Sequence, residues 1–321
     1  MNARMPSDAE VAAFARDIRE SLTASPRRLP SRYLYDTLGS ALFEAICALP
    51  WYRLTRAETT VLERHGADIL AACPQLRSVV ELGPGNGAKL ACLLGARGAQ
   101  AVPLDVHLID VSASALEAAE ARLTVMPGLN VFRHAASYEA GMAEVKTTPG
   151  PKLVLMLGSN IGNFDRPGAL AMLRTVRAAM RPGDRVLLGA DLVKAERDML
   201  LAYDDPLGVT AAFDRNVLLR INRELGGDFE LSAFDYRVTW NAEASRIEAW
   251  LVSRRAQAVR IPAADLELTL AEGEPIWIES AHKYTRAGLF ALLGEAGFGE
   301  QACWENVEDG FALALAECGA G

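Results

Sequence analysis

The hydrophobic and polar positions keep one rhythm up to about residue 192 and another beyond it. Near the start, DAEVAAFARDIRESLTA (8–24) and GSALFEAICAL (39–49) space their apolar residues as helices do, and Pro50 stops the second. ETTVLERHGADILAAC (58–73) reads as a longer helix. Short apolar runs then alternate with helical ones. SVVEL (78–82), VHLIDV (106–111), NVFRHAA (130–136), KLVLMLG (152–158) and DRVLLGADL (184–192) read as strands. KLACLLGAR (89–97), ASALEAAEARLTVM (113–126) and PGALAMLRTVRAAM (167–180) read as helices. KLVLMLG is continuous enough to be buried on both faces. Strands alternating with helices predict a parallel, doubly wound α/β sheet.

The second rhythm opens with two helices, AERDMLLAYDD (195–205) and VTAAFDRNVLLRINREL (209–225). FDYRVTW (234–240), SRIEAWLVSR (245–254), LELTL (266–270) and PIWIES (275–280) alternate apolar and polar residues, which predicts antiparallel strands with one buried face. RAGLFALLGEAG (286–297) is a helix, and QACWEN with FALALAE forms a hairpin that returns to the parallel sheet. The 321 residues exceed the usual single core. We therefore expect an α/β domain over 57–192 and 284–321, and a second domain joining 1–56 to an inserted α+β segment, 193–283.

Composition narrows the partners. The net charge of −8 argues against a nucleic-acid backbone, which needs a basic stripe. No apolar run approaches a membrane span, and the first thirty residues carry no secretory apolar core, so a cytoplasmic protein with no membrane partner is expected. The five cysteines are scattered and the four histidines lack ligand spacing, so no protein metal site is expected. The sequence carries no signal for oligomeric state, and a monomer is consistent with it.

The chemistry concentrates in VVELGPGNGAK (79–89). Gly83, Gly85 and Gly87 lie between a strand and a helix, where glycine permits a tight turn and close approach of a ligand to the helix N-terminus. Gly83, Gly85 and Ala88 satisfy G-x-G-x-x-A, which does not choose between a dinucleotide and another adenosyl ligand. Asp110 ends the next strand, where a carboxylate can accept both ribose hydroxyls; it could equally cap the following helix beside Ser112. ELGPGNG, with its acid ahead of the glycines, the later IDVS and MRPGDRVLLG resemble, as a set, class I methyltransferases.

Further stretches tighten that likeness: SRYLYDTLGSALFEAICALPWYRLTRAE (31–58), LGSNIGNF (157–164), DLVKAERDMLLAYDDPLGVTAAFDRNVLLRINREL (191–225) and IESAHKY (278–284). Together they resemble the histidine-specific Nα-methyltransferase family of ergothioneine biosynthesis, over nearly the whole chain. The resemblance implies a Rossmann-like class I sheet with an inserted α+β substrate-binding domain. It also implies an enzyme that uses S-adenosylmethionine to trimethylate the α-amino group of L-histidine, giving hercynine. By matching position, Gly83, Gly85 and Lys89 would meet the methionine end of the cofactor and Asp110 its ribose. Asn163 and Tyr203 would hold the substrate carboxylate, and Tyr52 would lie beside that pocket. Tyr35 and the Gly158 carbonyl would orient the amine, and Glu279 would meet the imidazole. Taken as residues alone, Tyr35 and Tyr52 read equally as domain aromatics, and Asn163 as a helix cap or turn residue.

Methyl transfer from a sulfonium is an in-line displacement whose main demand is alignment, so positioning groups suit it better than a strong base. The chain departs from the family pattern at three places. Ser137 and Tyr138 stand where an Asp–Phe pair often reads the adenine. Ala249 stands where Met is common, and Ala281 where a Ser commonly assists imidazole recognition. These changes keep open a different amino acid such as tryptophan, whose indole N–H could reach Glu279. His282 could add a contact or face solvent. An NAD-dependent oxidoreductase and a non-catalytic adenosyl-binding protein are the readings from other classes.

Overall fold

The computed structural model describes residues 7–98 and 102–319. Helices α1 (Asp8–Thr23) and α2 (Thr37–Ala48) come first. Then follow α3 (Leu54–Ala71), β1 (Ser78–Leu82), α4 (Ala88–Gly95), β2 (Leu104–Asp110), α5 (Ala113–Leu123), β3 (Leu129–Ala135), α6 (Tyr138–Glu144), β4 (Lys152–Met156), α7 (Arg166–Ala178) and β5 (Arg185–Asp191). Helices α8 (Glu196–Tyr203) and α9 (Val209–Leu225) lead into β6 (Phe234–Asn241), β7 (Arg246–Ser253), β8 (Gln257–Ile261), β9 (Leu266–Leu270) and β10 (Pro275–His282). The chain closes with α10 (Arg286–Glu295), β11 (Phe298–Asn306) and β12 (Phe311–Cys318).

Two compact units divide these elements, one made of 1–52 with 195–281, the other of 53–194 with 282–321. Helix α3 is continuous from Leu54, so the break falls ahead of it, at Tyr52.

The 53–194/282–321 unit is a three-layer α/β sandwich. Its sheet runs β11-β12-β5-β4-β1-β2-β3, parallel from β5 to β3, with β12 antiparallel to β5 and β11 antiparallel to β12. Central strands β1 and β4 are buried at every position, whereas the edge strand β3 alternates half-buried and exposed residues along much of its length. That contrast follows from helices covering both faces of the middle of a parallel sheet. Val79, Leu153, Leu155 and Leu187 turn toward α3, α4 and α5; Val80, Val154, Val186 and Leu188 turn toward α7 and α10. The period-two alternation of strands thus divides one continuous apolar run between two cores.

At the end of β5, Asp191 forms an ion pair with Lys283 at 2.8 Å, both side chains essentially inaccessible. Lys194 meets the other Asp191 oxygen at 2.7 Å, and the Asp191 backbone N–H donates to Ser159 Oγ at 3.0 Å. A buried charge pair is stable only while both partners remain.

The 1–52/195–281 unit has a sheet ordered β10-β7-β6 and a separate β8–β9 hairpin. Helix α9 is entered through Gly208 in the left-handed region, φ 71°. Asp205 accepts the backbone N–H groups of Leu207, Val209 and Thr210 at 3.0, 3.2 and 2.8 Å. These bonds satisfy donors that the first helical turn leaves without partners. Asp36 caps α2 and also accepts Asn216 Nδ2 at 2.7 Å, joining α2 to α9.

Lys283→Met removes one side of the buried pair and leaves Asp191 with Lys194. We expect a loss of about 2–4 kcal/mol, read as a lower urea midpoint with native circular dichroism in buffer. An unchanged midpoint would show that the pair contributes no stability.

Candidate functional site

The sheet order places β1 between β2 and β4, so connections leave β1 toward one side and reach β4 on the other. Such a reversal opens a crevice beyond the carboxyl ends of the two strands. Gly83 follows β1, and Gly158, Ser159 and Asn160 follow β4. A Cβ added to Gly83 would lie 2.6 Å from Asn160 Nδ2 and 2.6 Å from the Tyr138 hydroxyl. Only a residue without a side chain lets these three approach, and Gly83 also has φ 74°. Gly85, φ 53°, faces open space.

Asp110 accepts the Ser112 N–H at 2.8 Å, and burial raises its carboxyl above the ordinary range despite that bond. Ser112, not Asp110, caps α5, its hydroxyl accepting the Ala115 N–H at 3.3 Å. The Asp110 carboxylate is therefore not consumed by the helix end. Ser137 caps α6 in the same way, accepting from the Ala140 N–H at 3.3 Å. Tyr138 is its neighbour on the chain, and burial with Asp110 and Glu81 nearby pushes its phenol upward.

Glu58 on α3 is 0% exposed. Its two oxygens each lie 2.9 Å from the Gly158 N–H, and one meets Lys89 Nζ at 2.6 Å. Room for it comes from Gly189 on β5, where any side chain would collide with the Glu58 carboxylate. One carboxylate thus fixes the Gly158 peptide, and with it the aim of the Gly158 carbonyl, together with the Lys89 ammonium. Asn163 ends a short 3-10 turn over Asn160–Asn163 and is exposed. The cap of α7 is Asp165, which accepts the Gly168 N–H at 2.8 Å, so Asn163 is not that helix's cap.

In the other unit, Tyr35, Tyr52 and Tyr203 belong to one aromatic lattice. Tyr35 meets Phe43 and Phe213 edge-on, with ring centres 5.6 and 5.3 Å apart. Tyr52 meets Phe43 at 6.3 Å and Tyr203 at 6.1 Å. Such edge-to-face contacts fix ring orientation and leave the hydroxyls to polar partners. Glu279 on β10 is half-buried, and its charge is felt by Asp214 on α9 and Tyr236 on β6. Ala249 is 1% exposed on β7, opposite Val238, and Ala281 is buried two residues beyond Glu279. His282 is half-buried at the end of β10, and its backbone carbonyl lies against Gly162.

The sequence reading missed Glu58, Asn160, Asp214 and Tyr236. Each lay inside a stretch already singled out or in a predicted strand. Nothing in residue order alone shows that Glu58 faces Gly158, a hundred positions away. Among the described residues no group of three or more His, Cys, Asp or Glu is placed to hold a metal ion.

A seven-stranded sheet of this order, with a glycine turn after β1 and an acid ending β2, is a Rossmann-like nucleotide-binding sheet, and the sequence profile that the chain matches makes it an S-adenosylmethionine-dependent methyltransferase. The chain belongs to the histidine-specific, S-adenosylmethionine-dependent methyltransferase family, whose sequence profile matches residues 14–318. It is 40% identical over 314 residues to the histidine N-alpha-methyltransferase of Mycolicibacterium smegmatis, covering 97% of each chain. Identity to the Mycobacterium tuberculosis enzyme of the same name is 39%, covering 96% of each. An L-tryptophan methyltransferase of Psilocybe serbica is 27% identical, covering 92% of this chain and 90% of that one.

The residues present suit this cofactor. The Gly83–Gly85 turn gives close backbone approach, Lys89 offers a cation for a carboxylate, and Asp110 offers an acceptor that no helix cap consumes. Glu81, wholly buried at the end of β1, has an oxygen with no hydrogen-bond partner. Burial, resisted by Lys89 and reinforced by Glu58 and Asp110, lifts its carboxyl from 4.5 to about 8.

A raised carboxyl holds its proton in the folded state over a pH range where the unfolded chain has released it. Stability therefore falls as pH rises from about 4.5 to about 8, by up to about 1.4 kcal/mol per pH unit. Glu81→Gln should flatten this slope in urea titrations of the ligand-free protein between those limits. Parallel slopes for the two proteins would show that Glu81 is not the group responsible.

Proposed function

We propose that this enzyme methylates the α-amino group of L-histidine three times, giving hercynine. The 40% identity to a histidine N-alpha-methyltransferase over 97% of both chains carries the reading. When bound, S-adenosylmethionine supplies an electrophilic methyl group on a sulfonium. Gly83, Gly85 and Lys89 hold its methionine end, Asp110 its ribose, and Tyr138 with Ser137 its base. Glu58 serves by fixing Lys89 and the Gly158 peptide.

The protein's task is then alignment. Asn163 and Tyr203 bind the substrate carboxylate, and Tyr52 packs beside it. A carboxylate held by an amide and a phenol is oriented without added charge. The Tyr35 hydroxyl and the Gly158 carbonyl accept hydrogen bonds from the amine, which must be neutral to attack. These acceptors gain strength as positive charge grows on nitrogen. Each methyl added removes an N–H, so later turnovers rely more on the aromatic rings, which suit a quaternary ammonium product. Glu279 receives the imidazole. The domain of 1–56 with 193–283 is thus the substrate-binding one, and that of 57–192 with 284–321 binds the cofactor.

The small side chains of Ala249 and Ala281 favour a second reading, tryptophan, because both buried positions lack bulk. A panel of amino acids incubated with S-adenosylmethionine, followed by mass spectrometry, separates the two. Three added methyl groups on histidine support the first reading, and methylated tryptophan with unmodified histidine would replace it.

Tyr203→Phe and Asn163→Ala should each weaken histidine binding about tenfold or more, the value of a lost hydrogen bond to a charged group, while cofactor affinity stays within about twofold. Calorimetry on both ligands is the measurement. Equal losses for the two would remove these residues from the carboxylate site.

A further inference from the structure

Asp214 on α9 is a carboxyl group with 0% exposure. Neither of its oxygens accepts a hydrogen bond of ordinary geometry, although the Tyr236 hydroxyl lies near enough to lower its carboxyl somewhat. Burying a carboxyl without partners is costly, so its place calls for a physical reason. Helix α9 supplies none. Asp214 is the sixth residue of that helix, beyond the turn whose free N–H groups Asp205 already satisfies.

The titratable and charged groups facing it are Glu279 from β10, Tyr236 from β6 and Arg215 on its own helix. Arg215 donates to the Phe234 carbonyl at 3.2 Å. The Tyr236 hydroxyl gives its hydrogen to the Tyr203 carbonyl at 3.0 Å, and its pull on the Asp214 carboxyl is weaker than burial and Glu279. Neither discharges Asp214. Burial, first, and the like charge of Glu279, second, hold the Asp214 carboxyl well above the usual carboxylate range. A carboxyl buried beside a like charge favours its neutral form.

We infer that Asp214 and Glu279 read the substrate side chain together, Glu279 accepting a ring N–H and Asp214, as a neutral acid, donating to a bare ring nitrogen. The inference rests on the histidine reading, which places Glu279 at the side-chain end of the substrate. A neutral imidazole offers one N–H donor and one nitrogen acceptor, the complement of a carboxylate beside a carboxylic acid. An indole or pyrrole offers only the donor and leaves the Asp214 O–H without a partner. The surroundings supply no substitute. Ala281 lies on the Glu279 face of β10, two residues on, and Ala249 lies across from Val238 on the Tyr236 face of β6; neither carries a polar side-chain atom.

The test is calorimetry of the full-length protein with S-adenosylhomocysteine present, at pH 7.5. The ligands are L-histidine and β-(2-pyrrolyl)-L-alanine, which keeps an N–H and lacks the bare nitrogen. Wild type should prefer histidine by about 10- to 100-fold. Asp214→Asn, whose amide still donates, should keep most of that preference, and Asp214→Leu should abolish it. Equal binding of the two ligands by wild type would overturn the inference without requiring any variant to fold. So would an undiminished preference in Asp214→Leu that still binds S-adenosylhomocysteine. A wild type that binds the homocysteine analogue but neither ring amino acid would instead defeat the histidine reading itself.

Discussion

The arrangement beyond β1 and β4 depends on one buried carboxylate. Glu58 has no contact with water, and it stands against a peptide N–H 2.9 Å away and an ammonium 2.6 Å away. An isolated charge there would be intolerable, and the ion pair with Lys89 combined with the Gly158 N–H makes it tenable. Its consequence is positional. Helix α3 supplies Glu58, α4 supplies Lys89 and the loop after β4 supplies Gly158. Three segments distant in sequence are fixed by one group that cannot move without losing its partners. Gly189 on β5 is a consequence as well, since any side chain there would occupy the carboxylate's space.

Much of this architecture was legible in the sequence because parallel strands have a simple signature. SVVEL and KLVLMLG are apolar enough to be buried on two faces, and they are, as β1 and β4. The final hairpin was expected to return to the parallel sheet, and it does, with β12 pairing antiparallel to β5. Helix α6 was not. Tyr138–Glu144 spans only seven residues, too few for an apolar period to repeat, and its N-cap Ser137 looked like a ligand position. Strand β8 was missed because QAVRI has one polar and one basic residue in five and gains its order from pairing with β9.

The site divides along the same line. Glycines at turns and an acid ending a strand are visible because backbone geometry demands the residue type. Neighbours show which residues cap the helices: Ser112 and Asp165 do, while Asp110 accepts the Ser112 N–H and Asn163 ends a 3-10 turn. Glu58 and Asp214 could not be found by pattern, since a charged residue on a helix reads first as a solvent-facing one. Only the packed structure shows that these faces are interior. The motif YDDPLGVTAAFDRN likewise mixes functions, because Asp205 and Gly208 build the entry to α9 while Tyr203 and Asp214 lie buried on either side of it.

Buried carboxyl groups recur in this protein with different partners. Glu58 faces an ammonium and a peptide N–H. Glu81 feels Lys89 but also two other acids, and burial wins, lifting it to about 8. Asp214 is wholly buried beside Glu279, and these outweigh Tyr236 and Arg215 to hold its carboxyl well above the ordinary range. The same side-chain chemistry is therefore placed in different electrostatic surroundings, and at Asp214 they suit the neutral donor inferred above. For a reaction whose barrier is set mainly by alignment, that variety has a use. A neutral carboxylic acid can recognise a nitrogen acceptor without placing another negative charge near an amine that must stay unprotonated to attack. An ionised carboxylate at the same position would favour the ammonium form and slow the transfer it was meant to direct.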